Sequence, residues 1–469
     1  MRLIINLIPC LVFLFYLSFG TLSFAQSRFT GQVSNYNSWG FFEPHELISG
    51  RNNVRLNFSN SFDRGRVYLS SNLRQHYAFS TDSLDFRLRE AFFDVFFDNG
   101  DLRVGKQVIV WGKADGDFIM DAISPFDLSE FITQEFTELR EGVTAISYTH
   151  YFGRTQLQAI INPLFEPSRL PEYSGRWAVV PADFLPIPTD FISYQNTTPT
   201  LSDTQVALRL ALRPSLNLDL DFGILYWNSR TPGYFKTFET TEVLELRVPE
   251  RVQFEETYRA GLIAGGWGEY RILDKFRFVF EAAYYQNRPY DVFSLDISHD
   301  DIALLERLQQ GDIDPNELGL LLDVLNRFNT ALDKHEESGF LTYRPSVKFM
   351  GGIATDVFNW SLGIQYTGDA ILDYEDDILQ DAYFHSITTT INRSFLRDTL
   401  LFRFLGRYQI NGNDFWLNPE FRYDFTDGLT FGLGAHIFGG SKPEFDYAHL
   451  SFQSFNKNSL LFISGSWAW

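Results

Sequence analysis

Residues 84–112, LDFRLREAFFDVFFDNGDLRVGKQVIVWG, constrain the fold more than any other part of the chain. Two strand-like runs, 84–98 and 101–112, flank Asn99-Gly100. Asn-Gly between alternating runs signals a hairpin, because a type I′ turn needs positive φ at both central residues. Leu84, Phe86 and Leu88 alternate with Asp85, Arg87 and Arg89, and Leu102 and Val104 with Arg103 and Gly105. Each set therefore lies on one face of a sheet. The first run is roughly 15 residues long, against a usual strand of about 5–6. Such length with one greasy face suits a barrel whose strands cross a bilayer at a tilt. The alternation slips at Glu90-Ala91, after which Ala91, Phe93, Val95 and Phe97 carry the apolar set; a β-bulge produces that slip.

Composition supports the same fold class. Aromatics make up 17% of the residues, with 48 Phe, 22 Tyr and 9 Trp, yet no long apolar run follows Ala25. A transmembrane helix is therefore not readable, and the aromatics fit the girdles of an all-β, antiparallel, up-and-down transmembrane barrel. Met1-Arg2, an apolar run over 3–22 and Ser23-Phe24-Ala25 describe a signal peptide over 1–25, cut after Ala25. The barrel then occupies 26–469. The single cysteine, Cys10, lies inside the leader, which excludes disulfide scaffolds, cysteine nucleophiles and zinc ribbons from the mature chain. A formal net charge of −20 argues against nucleic acid as a partner.

Eighteen strands are expected, at 27–39, 53–62, 66–78, 84–98, 101–112, 142–152, 155–162, 203–213, 216–227, 257–272, 276–286, 341–355, 358–368, 384–396, 399–410, 415–425, 429–438 and 459–469. Connections after even-numbered strands are short; most of those after odd-numbered strands are long. Outer-membrane barrels show this asymmetry, with short periplasmic turns and longer external loops. The long connections at 113–140, 163–202, 228–256 and 287–339 are accordingly assigned to the outside. The segment 163–202 carries seven prolines and is read as neither regular sheet nor helix. Its apolar residues, Leu164, Phe165, Trp177, Val179, Val180, Phe184, Leu185 and Ile187, predict that it folds into or over the lumen. In 287–339, Asp314-Pro315-Asn316-Glu317 is a helix start, followed by Leu318, Leu321, Leu322, Leu325, Phe328 and Leu332 at helical spacing. A shorter helix is expected over 300–310. Leu461, Ile463, Trp467 and Trp469 alternate to the end of the chain and resemble the terminal signal read by the outer-membrane barrel-insertion machinery, the first expected partner beside outer-membrane lipid.

If the apolar sets face lipid, the alternate positions face inward. These include Arg55, Arg66, Arg74, Arg87, Arg89 and Arg103 in the first five strands, and Arg209, Arg213, Arg277, Arg344, Lys348, Arg403, Arg407 and Arg422 later. Few inward acids accompany the first group; Glu90 and Asp94 are nearest in sequence. Two readings of this wall stay open. One is an electropositive channel that concentrates anions; the other is an arginine–carboxylate network that braces the barrel. Lys106 breaks the pattern, since strict alternation points it toward lipid beside Val104 and Val108.

The segment from Gly105 to about Arg169 contains Gly105-Lys106-Gln107, Val110-Trp111-Gly112, Ser124-Pro125-Phe126-Asp127 and Glu138-Leu139-Arg140-Glu141. It resembles a large family of porin-like outer-membrane proteins known only as a domain of unknown function. Gly105, Gln107, Trp111, Gly112, Pro125 and Asp127 carry the likeness; Ser124 departs from it, where the family usually has Asn. The resemblance implies the outer membrane of a Gram-negative bacterium. It implies either a channel or an outer-membrane component of a lipid-export system working with a periplasmic transport partner; the inward arginines and the long loops add the expectation that a channel would serve small, anionic solutes and be gated by those loops.

Catalytic patterns are absent from the sequence. Its eight His are scattered and no Gly-x-Ser-x-Gly elbow occurs, so no catalytic residue, cofactor or enzymatic activity is assigned. Asp115, Asp117 and Asp121 offer hard oxygens but lack the spacing of a calcium loop, so no metal is assigned. Edman sequencing of the protein from purified outer membranes should begin at Gln26; a start at Met1 would show that the leader is retained.

Overall fold

The computed structural model describes residues 27–78, 83–134, 138–173, 175–178, 187–194, 203–243, 245–272, 275–292, 304, 307, 314–441 and 451–469. The leader, most of the helix expected at 300–310, and Val179, Val180, Phe184 and Leu185 lie outside them. The first seven strands are β1 (Ser27–Gly40), β2 (Leu47–Phe62), β3 (Gly65–His76), β4 (Ser83–Phe97), β5 (Gly100–Gln107), β6 (Val143–Phe152) and β7 (Thr155–Asn162). A short β8 (Thr189–Ile192) precedes β9 (Gln205–Leu212) and β10 (Leu218–Asn228). Then come β11 (Gly233–Val243), β12 (Leu246–Thr257), β13 (Ala260–Ile272), β14 (Phe276–Asp291) and helix α1 (Leu318–His335). The chain finishes with β15 (Leu341–Val357), β16 (Trp360–Ile371), β17 (Tyr383–Phe395), β18 (Leu400–Gln409), β19 (Asp414–Thr426), β20 (Leu429–Gly440) and β21 (Leu460–Ala468).

All of these strands except β8, β11 and β12 form one 18-stranded antiparallel sheet, which closes because β21 pairs with β1. Closure is what lets strands cross hydrocarbon, where no water can satisfy a sheet edge. The outward positions are apolar and exposed, as at Phe222, Ile224 and Tyr226 on β10 or Phe431 and Leu433 on β20. The alternate positions are buried or half-buried within the barrel.

Local sequence accounts for the register with three adjustments. The β4–β5 hairpin forms where expected, but Phe97 pairs with Gly100, so the turn is Asp98-Asn99, and neither residue has positive φ. Gly100 is needed inside β5 instead: a Cβ there would lie 2.8 Å from the Thr149 carbonyl oxygen on β6. Phe358-Asn359, expected to begin a strand, form the turn between β15 and β16 and both take positive φ. The bulge in β4 falls at Arg89, since Ser70 pairs with Glu90 and Ser71 with Leu88. Lys106 keeps its outward parity in an unbroken β5–β6 register, and its ammonium reaches Glu166 beyond the strand end at 3.0 Å.

The long connections leave one rim and the short turns the other, as up-and-down topology requires. Two segments read as irregular carry a second sheet, in the order β11-β12-β8. Thr189–Ile192 escapes the prolines around it and joins as an edge strand, where proline neighbours are tolerated. The β11–β12 hairpin is stabilised by α1: Phe328, Ala331 and Leu332 pack on Phe238, Val252 and Phe254. That contact is remote in sequence, which is why local pattern did not reveal the strands. Asp314 caps the start of the helical segment, accepting from Asn316 N at 2.9 Å. With Cys10 replaced by Ser, cysteine at Leu320 should label on intact cells with an impermeant maleimide while cysteine at Asn99 should not. The reverse pattern would invert the orientation.

Candidate functional site

The expected arginine wall exists, but it is not bare. Arg66 on β3 and Arg103 on β5 both bind Asp94 on β4, at 2.8 and 2.7 Å. Cross-strand register places Asp94 opposite both, and Phe92 lies beneath the Arg103 guanidinium at 3.9 Å. Higher on the wall, the acids arrive from the connection between β5 and β6. Asp127 binds Arg74 and Arg87, Glu138 binds Arg55 and Arg89, and Glu130 binds Arg51. Of these, Arg51 was missed because the second strand was expected to begin at Asn53, leaving Arg51 outside the wall.

The same connection touches the opposite wall. Asp117 binds Lys348 on β15 and, at 3.0 Å, Arg407 on β18; Asp115 exchanges hydrogen bonds with Gln365 on β16. Glu281 on β14 accepts from the backbone N–H groups of Lys113, Ala114 and Met120. The segment 113–140 is assigned to the outside from sequence; its described residues, 113–134 and 138–140, leave the long-loop rim and fold back across the lumen. A sequence without contacts does not show where such a connection turns. The inward acid at Glu281 and the run of Asp115, Asp117 and Asp121 were the traces of it. Those three aspartates diverge, Asp121 turning to Arg140 and Arg230.

The motif residues fix the descent. Gly105 faces Phe92 across the β4–β5 ladder, and the Gln107 amide donates to the Ala145 carbonyl at 2.9 Å. Trp111 is buried, stacks on Trp267 and donates to Gln158. Gly112 has φ +93°, and a Cβ would come 2.5 Å from a Glu281 oxygen, so only glycine permits that carboxylate to hold the chain. Ser124 accepts from Ile109 N and donates to Ile109 O, at 2.8 and 3.0 Å, pinning the two arms of the segment together. Pro125 is buried and its carbonyl accepts from Glu141 N. Trp177, from the proline-rich connection, packs on Phe131, Phe438 and Phe455 inside the same rim.

Of the remaining expected residues, Arg344 reaches Glu375 in the connection after β16 at 2.6 Å, and most of the others pair within the wall. Arg209 and Arg213 bind Asp221; Arg403 and Arg422 meet Glu420. Arg277 instead lines a polar cavity of about 160 Å³ with Lys113, Asp115, Glu269 and Gln365.

Residues 34–412 match the family described as protein of unknown function, DUF1302. The chain belongs to that family. No curated protein matches this DUF1302 sequence. Among solved structures it is similar to Pseudomonas aeruginosa OccD3 (9% identity, 95% of this chain and 91% of that one, TM-score 0.51). It is also similar to P. aeruginosa OpdK with vanillate (9%, 96% and 100%, 0.50) and to the Acinetobacter baumannii outer membrane channel DcaP (10%, 96% and 99%, 0.41). These likenesses are of fold. The DUF1302 chain has a porin-like architecture, a closed barrel of 18 antiparallel strands.

Burial raises the Asp115 carboxyl of the crossing segment, but at Asp117, Asp127, Glu130 and Glu138 the cationic partners prevail over it. Arg407 and Lys348 hold Asp117 at about 2. Arg87 holds Asp127 well below the usual range, and Arg51 and Arg55 lower Glu130 and Glu138. A carboxylate with a depressed folded pKa stabilises fully above its unfolded value and loses that contribution as pH falls through the folded value. The segment should therefore stay docked from neutral pH to about pH 4 and loosen toward about pH 2. A nitroxide on Leu128→Cys, in a Cys10→Ser background, should remain immobile over the first range and gain mobility only below it. Mobility gained between pH 7 and pH 5 would contradict the clamp.

Proposed function

We propose that this protein is a diffusion channel for small, anionic solutes, with a lumen constricted by the inward segment 113–140. One observation carries the reading: the segment spans the barrel between an arginine-rich wall and the Lys348–Arg407 wall, leaving polar space beside it. A constriction held between cationic walls selects by size and charge. The apolar side chains of the other flank, including Trp227, Ile263 and Trp267, pack against Trp111 and Met120 of the crossing chain. They are thereby committed to holding the segment, which favours a solute channel over the lipid-export component. In this reading 1–25 is a cleaved leader, and the β11–β12 hairpin and α1 form an external cap over the entrance.

In a planar bilayer under a KCl gradient, the reversal potential should report preference for chloride. Arg277 lines the cavity and forms no ion pair among the described residues, so Arg277→Glu should lower that preference by about half while the ion pairs of Asp117 and Asp127 stay in place, and added salt should shrink the difference. A cation-selective wild type would refute the proposed selectivity.

A further inference from the structure

We propose that Arg393 holds the phosphate of an anionic phospholipid on the outer surface of the barrel, near the rim of the short turns. The site depends on the barrel standing in a bilayer, and not on what the lumen passes. Arg393, on β17, stands outside the inward arginine wall. It pairs with Trp360 on β16 and with Phe402 on β18. Leu362, Ile364 and Tyr366 share the parity of Trp360 and are exposed on the outer face, as is Phe421 beside Phe402. β17 ends two residues further on, at Phe395, where the short turn to β18 begins. The guanidinium therefore lies near the headgroup level of one leaflet, where aromatic girdles also sit.

An outward cation needs an answering charge. Lys106, also outward, has one in Glu166 at 3.0 Å. Arg393 has none: among the described residues its side chain contacts rings and no oxygen. The Trp360 and Phe395 centroids each lie 4.8 Å from its Cζ, and Trp360 stands edge-on to Phe395 and Phe402 at 6.2 Å. Nε is covered and has no acceptor, whereas the two Nη groups are not covered and the residue is only half-buried. A ligand arriving along the outer surface can thus reach the Nη donors. Attraction to the rings steadies the positive charge but fills none of its N–H donors. The two free oxygens of a phosphate diester suit the planar guanidinium fork. The turn beyond adds one exposed cation, Arg397, and one exposed acid, Asp398, so the two offset each other. Phe395, Phe402 and Phe421 continue the outer face with apolar surface for acyl chains, which favours a lipid over a free phosphate ion.

Native mass spectrometry of the purified protein in detergent tests this, with phosphatidylglycerol titrated beside phosphatidylcholine and the folding of each variant checked by heat-dependent gel migration. The first phosphatidylglycerol should bind more tightly than phosphatidylcholine. Arg393→Gln should weaken it about tenfold, the scale of lost hydrogen bonds to a charged group. Arg154→Gln, which changes an exposed arginine in the β6–β7 turn on the same rim, should leave that first affinity unchanged. Millimolar sodium phosphate should not displace the lipid. Equal weakening in both variants would reduce the effect to general surface charge, equal affinity for the two lipids would remove the preference for an anion, and displacement by phosphate would make the ligand a free ion; each overturns the inference. None of these outcomes touches conductance, so the channel reading stands or falls separately. Should Arg393→Gln fail to assemble, Arg393→Lys replaces it: an affinity lowered several-fold supports the guanidinium fork, and an unchanged affinity overturns it.

Discussion

A charged side chain cannot be left in hydrocarbon, and the rest of this structure follows from that constraint. Strand alternation gives each residue two choices, lipid or lumen, so every arginine of the wall is sent inward. A buried guanidinium in turn requires a carboxylate, since breaking such a pair costs several kcal/mol, on the order of 3–5. The wall strands supply only part of the need, through Asp94, Asp221 and Glu420. Asp127, Glu130 and Glu138 supply the remainder on the β2–β4 side, and they can do so only if their segment enters the barrel.

The entry is held at both ends by different physics. On the β2–β4 side the contacts are ionic. On the β13–β15 side they combine a hydrophobic cluster around Trp111, Ile119 and Met120 with three backbone hydrogen bonds to Glu281. Ionic contacts weaken with competing ions, whereas buried apolar surface does not. Ion pairs occur at both ends, since Asp117 also binds Lys348 and Arg407, and the cluster around Trp111 and Met120 adds apolar contact to the second.

The motif that identifies the family has the same logic. Gly112 admits the Glu281 carboxylate, Trp111 seeds the apolar anchor, and Asp127 makes the ionic one. Ser124, the departure from the usual pattern, still satisfies the Ile109 backbone through its hydroxyl, so a short polar side chain suffices there.

The sequence by itself determined the closed barrel, the eighteen spanning strands, the face each side chain occupies and the parity that sorts long loops from short turns. Those properties depend on neighbours two residues apart and on turns between adjacent strands, which a linear pattern records. The turn shifts at Asp98-Asn99 and Phe358-Asn359 are of one or two residues because φ preferences alone do not locate a turn that neighbouring strands also constrain. Only the tertiary structure decided that 113–140 returns inward, that β11, β12 and β8 form a sheet under α1, and that Arg74 and Arg87 meet Asp127. Each of these joins residues tens to hundreds of positions apart, as Asp117 joins Arg407. Charge complementarity says that such partners must exist; only closure of the barrel brings particular ones within reach.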